Sequence, residues 1–239
     1  MNGKEALKHY RTEKGYSVRR FAALLQVTPK TVYAYESQEV PLASMPTGRA
    51  VRTFSLLEVD LEDFFDSFYP YKEELANAIR LWQSKNPIEL DFNVLKTRLN
   101  NRIMKAKERN VLSEKAFLKI NNQFVKTFTV LEKKKDSTGN ILESDYMKYV
   151  FPVCQLMRKA TYQIQDNYLR EGFLNSQYNL SEIADFCGIS KRHFISVVNG
   201  EREISTLRII TVLKLCYVLK LDFKKFTQGI GVEENNQRK

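Results

Sequence analysis

The chain has little of the two residues that interrupt regular structure, with 9 Gly and 6 Pro among 239 residues. Together with abundant Leu, Lys and Glu, that scarcity predicts a mainly α fold. Cysteine is equally sparse. Cys154, Cys187 and Cys216 are odd in number and far apart. They exclude a disulfide framework and a CxxC metal site and fit a reducing cytosol. With only His9 and His193 as histidines, no zinc site is expected. No apolar run is long enough to span a bilayer, and the N-terminus lacks a signal-peptide h-region, so the expected location is the cytoplasm. Phosphate-binding P-loops and Gly-rich dinucleotide loops are missing too. Asp60, Glu62 and Asp63 read as first-turn capping acids, not a metal or acid–base cluster. Tyr146 and Tyr149 lack the catalytic Arg/His set or metal-binding histidines that a nucleophilic tyrosine needs. The expectation is a protein without catalytic residues, cofactor or metal, and not an enzyme.

What the chain does have is positive charge. The formal net charge is +10, the pI is about 9.4, and apolar residues make up 43%. That balance can build a core and favours a polyanionic partner, nucleic acid or an anionic membrane surface.

The most informative stretch is Leu180 to Gly200, LSEIADFCGISKRHFISVVNG. Ile183, Ala184 and Cys187 share one helical face, and Phe194, Val197 and Val198 share another. Gly188 sits where the first helix must end in a left-handed turn, and Ser190 is placed to cap the next. Two helices of this size joined by a short Gly-containing turn predict a helix-turn-helix, whose second helix can enter a DNA major groove.

Residues 3–69 carry a similar rhythm. Ala6, Leu7 and Tyr10 lie on a first helix ended by Gly15. Ser17 caps a second with Phe21, Ala22, Leu24 and Leu25. Gln26-Val27-Thr28 forms a corner, and Thr28-Pro29 starts a third helix with Val32 and Tyr35 facing inward. A further helix near Arg49 to Leu57 and a last one from Asp60 follow. Ser17, Phe21, Ala22, Gln26, Val27, Thr28, Val32, Tyr35 and Glu36 resemble the pattern of the Cro/CI-type (XRE-like, lambda-repressor-like) DNA-binding family. The departure is Gln26, where that family usually has Gly. The second motif resembles the same family. A single offset of 162 residues pairs Leu7 with Leu169, Ala22 with Ala184, Val27 with Ile189, Thr28 with Ser190, Val32 with Phe194, Leu57 with Leu219, Asp60 with Asp222 and Phe64 with Phe226. This implies an internal repeat: a helix-turn-helix domain over 1–69 and another over 163–231, joined by a central region over 70–162, with a polar tail over 232–239.

In the centre, Leu75, Ile79 and Trp82 form one helical stripe. Phe92, Leu95, Leu99, Ile103 and Ala106 form a longer one, opposed by Lys96, Arg98, Arg102, Lys105 and Lys107. Ser113-Glu114 opens a third helical segment. Thr127–Leu131 and Asp145–Phe151 are β-prone around a charged, Gly-containing turn at 133–140. They read as a β-hairpin in a winged-helix-like arrangement, the other reading being a helical spacer with a surface loop.

The resemblance implies double-stranded DNA as partner, no membrane, and either a homodimer or a pseudo-symmetric monomer. It implies DNA contacts from Thr28, Lys30, Thr31, Tyr33, Ala34 and Ser37 in the first copy, with Ser17 and Arg19 on phosphate. In the second copy the expected set is Ser190, Lys191, Arg192, His193, Ser196, Asn199 and Arg202. Phe21, Val32, Tyr35, Phe194 and Val197 are expected in the core. The implied role is a bacterial, nucleoid-associated transcriptional regulator, usually a repressor. The alternatives are an accessory protein at a plasmid or mobile-element origin of replication, transfer or excision, and a protein-interaction scaffold that has lost DNA binding.

Overall fold

A computed structural model describes residues 2–37, 40–161 and 168–228. The fold is mainly helical, with no strand among the described residues. It divides into two compact units. One comprises residues 1–79, 167–172 and 178–239, and the other residues 80–166 and 173–177.

In the first unit, α1 (Gly3–Glu13) starts on a reciprocal cap between Asn2 and Glu5. Ser17 caps α2 (Val18–Leu25), and Thr28 caps α3 (Pro29–Glu36), which begins with Pro29. A 3-10 turn (Leu42–Ser44) leads to α4 (Thr47–Leu57), and Asp60 caps α5 (Leu61–Phe68). Each such cap satisfies an otherwise orphaned N–H and is worth about 1 kcal/mol. Phe54, Phe64 and Phe65 pack edge-on or tilted with ring centroids 4.6–5.7 Å apart beneath these helices.

These bounds recur 162 residues on. In chain order after the second unit come α11 (Tyr168–Asn175), α12 (Leu180–Cys187) and α13 (Lys191–Val198). A 3-10 turn (Ile204–Thr206), α14 (Ile209–Leu219) and α15 (Phe223–Phe226) complete the series. Caps recur with them: Asn179 for Ser17, Ser190 for Thr28 and Asp222 for Asp60. So do the left-handed corners. Gln26 at φ +56° matches Gly188 at +66°, and Glu58 at +56° matches Lys220 at +55°. Four sites thus keep one backbone path under different side chains, because the path is set by helix length and core packing.

The two copies pair through the turn before α4 and its counterpart before α14. The Thr47 N–H donates to Leu207 O at 2.7 Å, and the Ile209 N–H donates to Met45 O at 2.8 Å. Thr47 is the counterpart of Ile209, and Met45 of Leu207, so each copy gives the other the same bond. The pairing is isologous about the antiparallel Pro46/Arg208 bridge. Thr47 Oγ1, buried, also donates to Leu207 O at 2.8 Å. Farther out, Lys224 Nζ meets Asp60 Oδ2 at 2.9 Å.

The helix α6 (Tyr71–Lys85) contributes residues to both units. The second unit is built from α7 (Phe92–Glu108) and α8 (Glu114–Glu132). A continuous helical stretch follows: α9 (Glu143–Asp145), a π turn (Tyr146–Val150) and α10 (Phe151–Thr161). Its core joins Phe92, Leu95, Leu99 and Ile103 to Phe117, Ile120, Phe124, Phe128 and Leu131, closed by Ile141, Val150 and Val153.

The β-hairpin, and with it the winged-helix-like arrangement, is not formed. Thr127–Leu131 completes α8, and Asp145–Phe151 lies within the continuous stretch α9–α10. The local β preference of Thr, Val and Phe is overridden by burial. Phe117, Ile120, Phe124, Phe128 and Leu131 keep helical spacing to the end of α8, and a strand would turn alternate members outward. The 133–140 turn therefore joins helices. Asp136 Oδ1 accepts the N–H groups of Thr138 and Asn140 at 2.8 and 3.0 Å, and the Thr138 hydroxyl at 2.6 Å. Those bonds, Thr138's first, hold the Asp136 carboxyl below its ordinary pKa. The tail at 232–239, and the ends of the second copy at 163–167 and 229–231, lie outside the described residues.

Candidate nucleic-acid interface

The α3 and α13 helices each bury one face and expose the other. Val32 and Tyr35 point inward from α3, and Phe194, Val197 and Val198 from α13. Phe21 on α2 is buried as well. At 100° per residue, Lys30, Tyr33, Ala34 and Ser37 share the outward face of the first copy. Their counterparts are Arg192, Ile195, Ser196 and Asn199. Lys30, Tyr33 and Arg192 are exposed, Tyr33 to 58%. Lys30, Lys191 and Arg192 have no ion pair among the described residues, so their charge faces solvent.

Other expected site residues are already engaged. Thr28 Oγ1 accepts the Thr31 N–H at 3.3 Å and hydrogen-bonds the Thr31 hydroxyl at 3.0 Å. Ser190 Oγ accepts the His193 N–H at 3.2 Å, and the Ser196 hydroxyl donates to His193 O at 2.9 Å. The Asn199 amide donates to Glu201 Oε1 at 3.1 Å. Thr31 and His193 occupy equivalent positions beside the outward face, and both are half-buried. His193 Nε2 is buried without a hydrogen-bond partner. Burial, and then the charge of Arg202, push the imidazole below its ordinary pKa, so it is neutral at pH 7. His193 therefore brings shape to this surface and no cationic charge. Arg202 is exposed and lies beyond the C-terminal end of α13.

The approaches to the two copies differ. In the first, Ser17, Arg19 and Arg20 are exposed at the start of α2, and Arg20 stands 5.5 Å over the Tyr16 ring. The counterparts are Asn179, Ser181 and Glu182, and Glu182 closes a reciprocal cap on Asn179. A carboxylate at the α12 N-terminus repels phosphate where the first copy presents arginines. Arg20 was missed from the sequence, where its basic neighbour Arg19 was the available signal.

A buried ion pair holds the first copy's outward face in place. Arg11 Nε and Nη2 donate to the two Glu36 oxygens at 2.6 and 3.0 Å, and Arg11 Nη1 donates to Tyr16 O at 2.5 Å. Their side chains are 6% and 5% exposed. The same positions in the second copy are Phe173 and Val198, both buried.

Among the described residues no group of three His, Cys, Asp or Glu side chains could hold a metal ion. His9 meets only Glu13, at 3.8 Å on the surface of α1. No helix among the described residues is long and apolar enough to cross a membrane. No family model matches the sequence, and no curated protein or solved structure is significantly similar to it.

Proposed function

We propose that the protein binds duplex DNA sequence-specifically through two non-identical helix-turn-helix heads, α2–α3 and α12–α13, and acts as a bacterial transcriptional regulator. One observation carries this reading. Two equivalent outward helix faces, Lys30-Tyr33-Ser37 and Arg192-Ser196-Asn199, belong to copies joined by a reciprocal backbone pairing. An isologous pair presents equivalent surfaces related by a two-fold axis, the relation that a palindromic duplex displays. Here both members come from one chain and their side chains differ, so the matching site is an imperfect palindrome. Lys30 and Arg192 stand at the same helical position, where a long cationic side chain can donate to the O6 and N7 edge of guanine. The likeness of Ser17 through Glu36 to the Cro/CI-type pattern supports the same assignment.

Footprinting tests it. Lys30→Ala and Arg192→Ala should each weaken a different half of one protected region, by about 1–3 kcal/mol for each base pairing removed. Unchanged footprints and unchanged sequence preference in both variants would reject base reading by these helices. Absence of any salt-dependent duplex affinity in the parent protein would point to a protein-interaction scaffold.

A further inference from the structure

Most of the net positive charge of this chain lies outside the unit of the paired copies. Residues 80–166 hold 17 Lys+Arg against 9 Asp+Glu, and residues 173–177 hold none. The second unit therefore carries +8 of the net +10. Within it the charge is ordered along α8. Lys115, Lys119 and Lys126 of the helix and Lys133 at its C-cap are exposed and recur at spacings of 4, 7 and 7 residues, within about 40° of one line on the helix face opposite Phe124. The line is about 27 Å long. No carboxylate interrupts it. The acids of α8 are Glu114 and Glu132, and both are turned to other lysines, Lys107 at 4.0 Å and Lys135 at 2.5 Å. The four lysines of the line have no ion pair among the described residues.

We infer that this lysine line on α8 is a second nucleic-acid surface, which binds the phosphate backbone of duplex DNA without reading sequence. It uses none of the residues of the proposed reading heads and does not rest on them. Four like charges held on one rigid helix repel one another unless a polyanion neutralises them. One DNA strand carries a phosphate every 3.4 Å of helix axis, so a line of about 27 Å passes about eight of them. The chemistry around the lysines selects the partner. Exposed neighbours Asn122 and Gln123 are amide donors suited to phosphate oxygens. The α8 aromatics Phe117, Phe124 and Phe128 are all buried in the unit's core. None is left to stack unpaired bases, as single-strand binding uses.

The test is made on the full chain with Lys115, Lys119, Lys126 and Lys133 all changed to Gln, and in parallel all changed to Arg. Helical circular dichroism checks that both remain folded. Binding is measured to a 30-base-pair duplex of random sequence between 50 and 200 mM salt. The parent should show a steep salt dependence. In the Gln variant, the slope of log affinity against log salt should fall by about 3 to 4, near 0.9 for each phosphate no longer neutralised. The Arg variant should keep the parent slope. An unchanged slope in the Gln variant overturns the inference. So does a parent protein that prefers a single strand of equal length, or that binds phosphatidylserine vesicles through these lysines but not duplex. The heads are judged by sequence preference and α8 by the salt slope on random duplex, so either can fail alone.

Discussion

Glu36→Ala is the sharpest perturbation of the paired copies. Glu36 satisfies Arg11 Nε and Nη2 at 2.6 and 3.0 Å, and both side chains are almost sealed from water. Removing the carboxylate leaves a guanidinium buried with only the Tyr16 carbonyl as partner. Breaking a buried pair from one side costs about 3–5 kcal/mol. For a unit of this size each kcal/mol lowers the melting temperature by about 2–4 °C, so the expected drop is roughly 6–20 °C. Apolar side chains indicate the remedy, since replacing a buried ion pair by hydrophobic residues of similar volume is often neutral or stabilising. The double variant Arg11→Phe/Glu36→Val removes both charges and fills the space with apolar groups. It should recover most of the loss, apart from about 1 kcal/mol for the Tyr16 carbonyl left without its donor. Calorimetric and circular-dichroism melting of the three proteins decides the matter. A Glu36→Ala cost below about 1 kcal/mol would refute the buried-pair reasoning. A double variant as damaged as the single would refute the buried charge as the source of the loss.

Further outcomes are expected elsewhere. Gln26→Gly should stabilise by about 0.5–1 kcal/mol, because a left-handed backbone is strained for Gln and not for Gly, while Gly188→Gln should destabilise by a similar amount; denaturant midpoints measure both. His193 has a folded pKa below its unfolded value of about 6.5. The unfolded chain then binds the extra proton first, so the contribution of neutral His193 is complete above that value and is lost as pH falls below it. Denaturation between pH 7.5 and 5 should show that loss, and His193→Gln should flatten it. The Cys187 thiol is pushed up to about 12 by burial, so it should react with a thiol reagent only as fast as the fold opens.

Much of the fold was legible because local and tertiary preferences agree. Thr28-Pro29 and Ser190 start α3 and α13, and Gly188 turns the corner between α12 and α13. Gln26 hides the same corner, since its left-handed backbone is imposed by the flanking helices and not by residue type. The centre departs from its local β preference where the two preferences part. Thr127 to Leu131 has strand-forming residues on a helical burial pattern, and packing wins. The pairing of Met45-Pro46-Thr47 with Leu207-Arg208-Ile209 has no sequence pattern to announce it, because its reciprocal bonds are between backbone groups and only the Thr47 hydroxyl adds a side-chain bond. In the candidate site, the exposure of Lys30, Lys191 and Arg192 follows from helix period. The burial of His193 Nε2 does not, because it depends on tertiary packing around α13.

On the proposed function, two unlike heads in one chain engage one duplex together. Selection of bound sequences from a random duplex pool tests it most directly, with the stoichiometry of the selected complex measured alongside. One chain should select one bipartite motif, with two related but unequal halves centred about one helical turn, 10–10.5 base pairs, apart. Enrichment of a single short half-site, or of no motif at all, would contradict it.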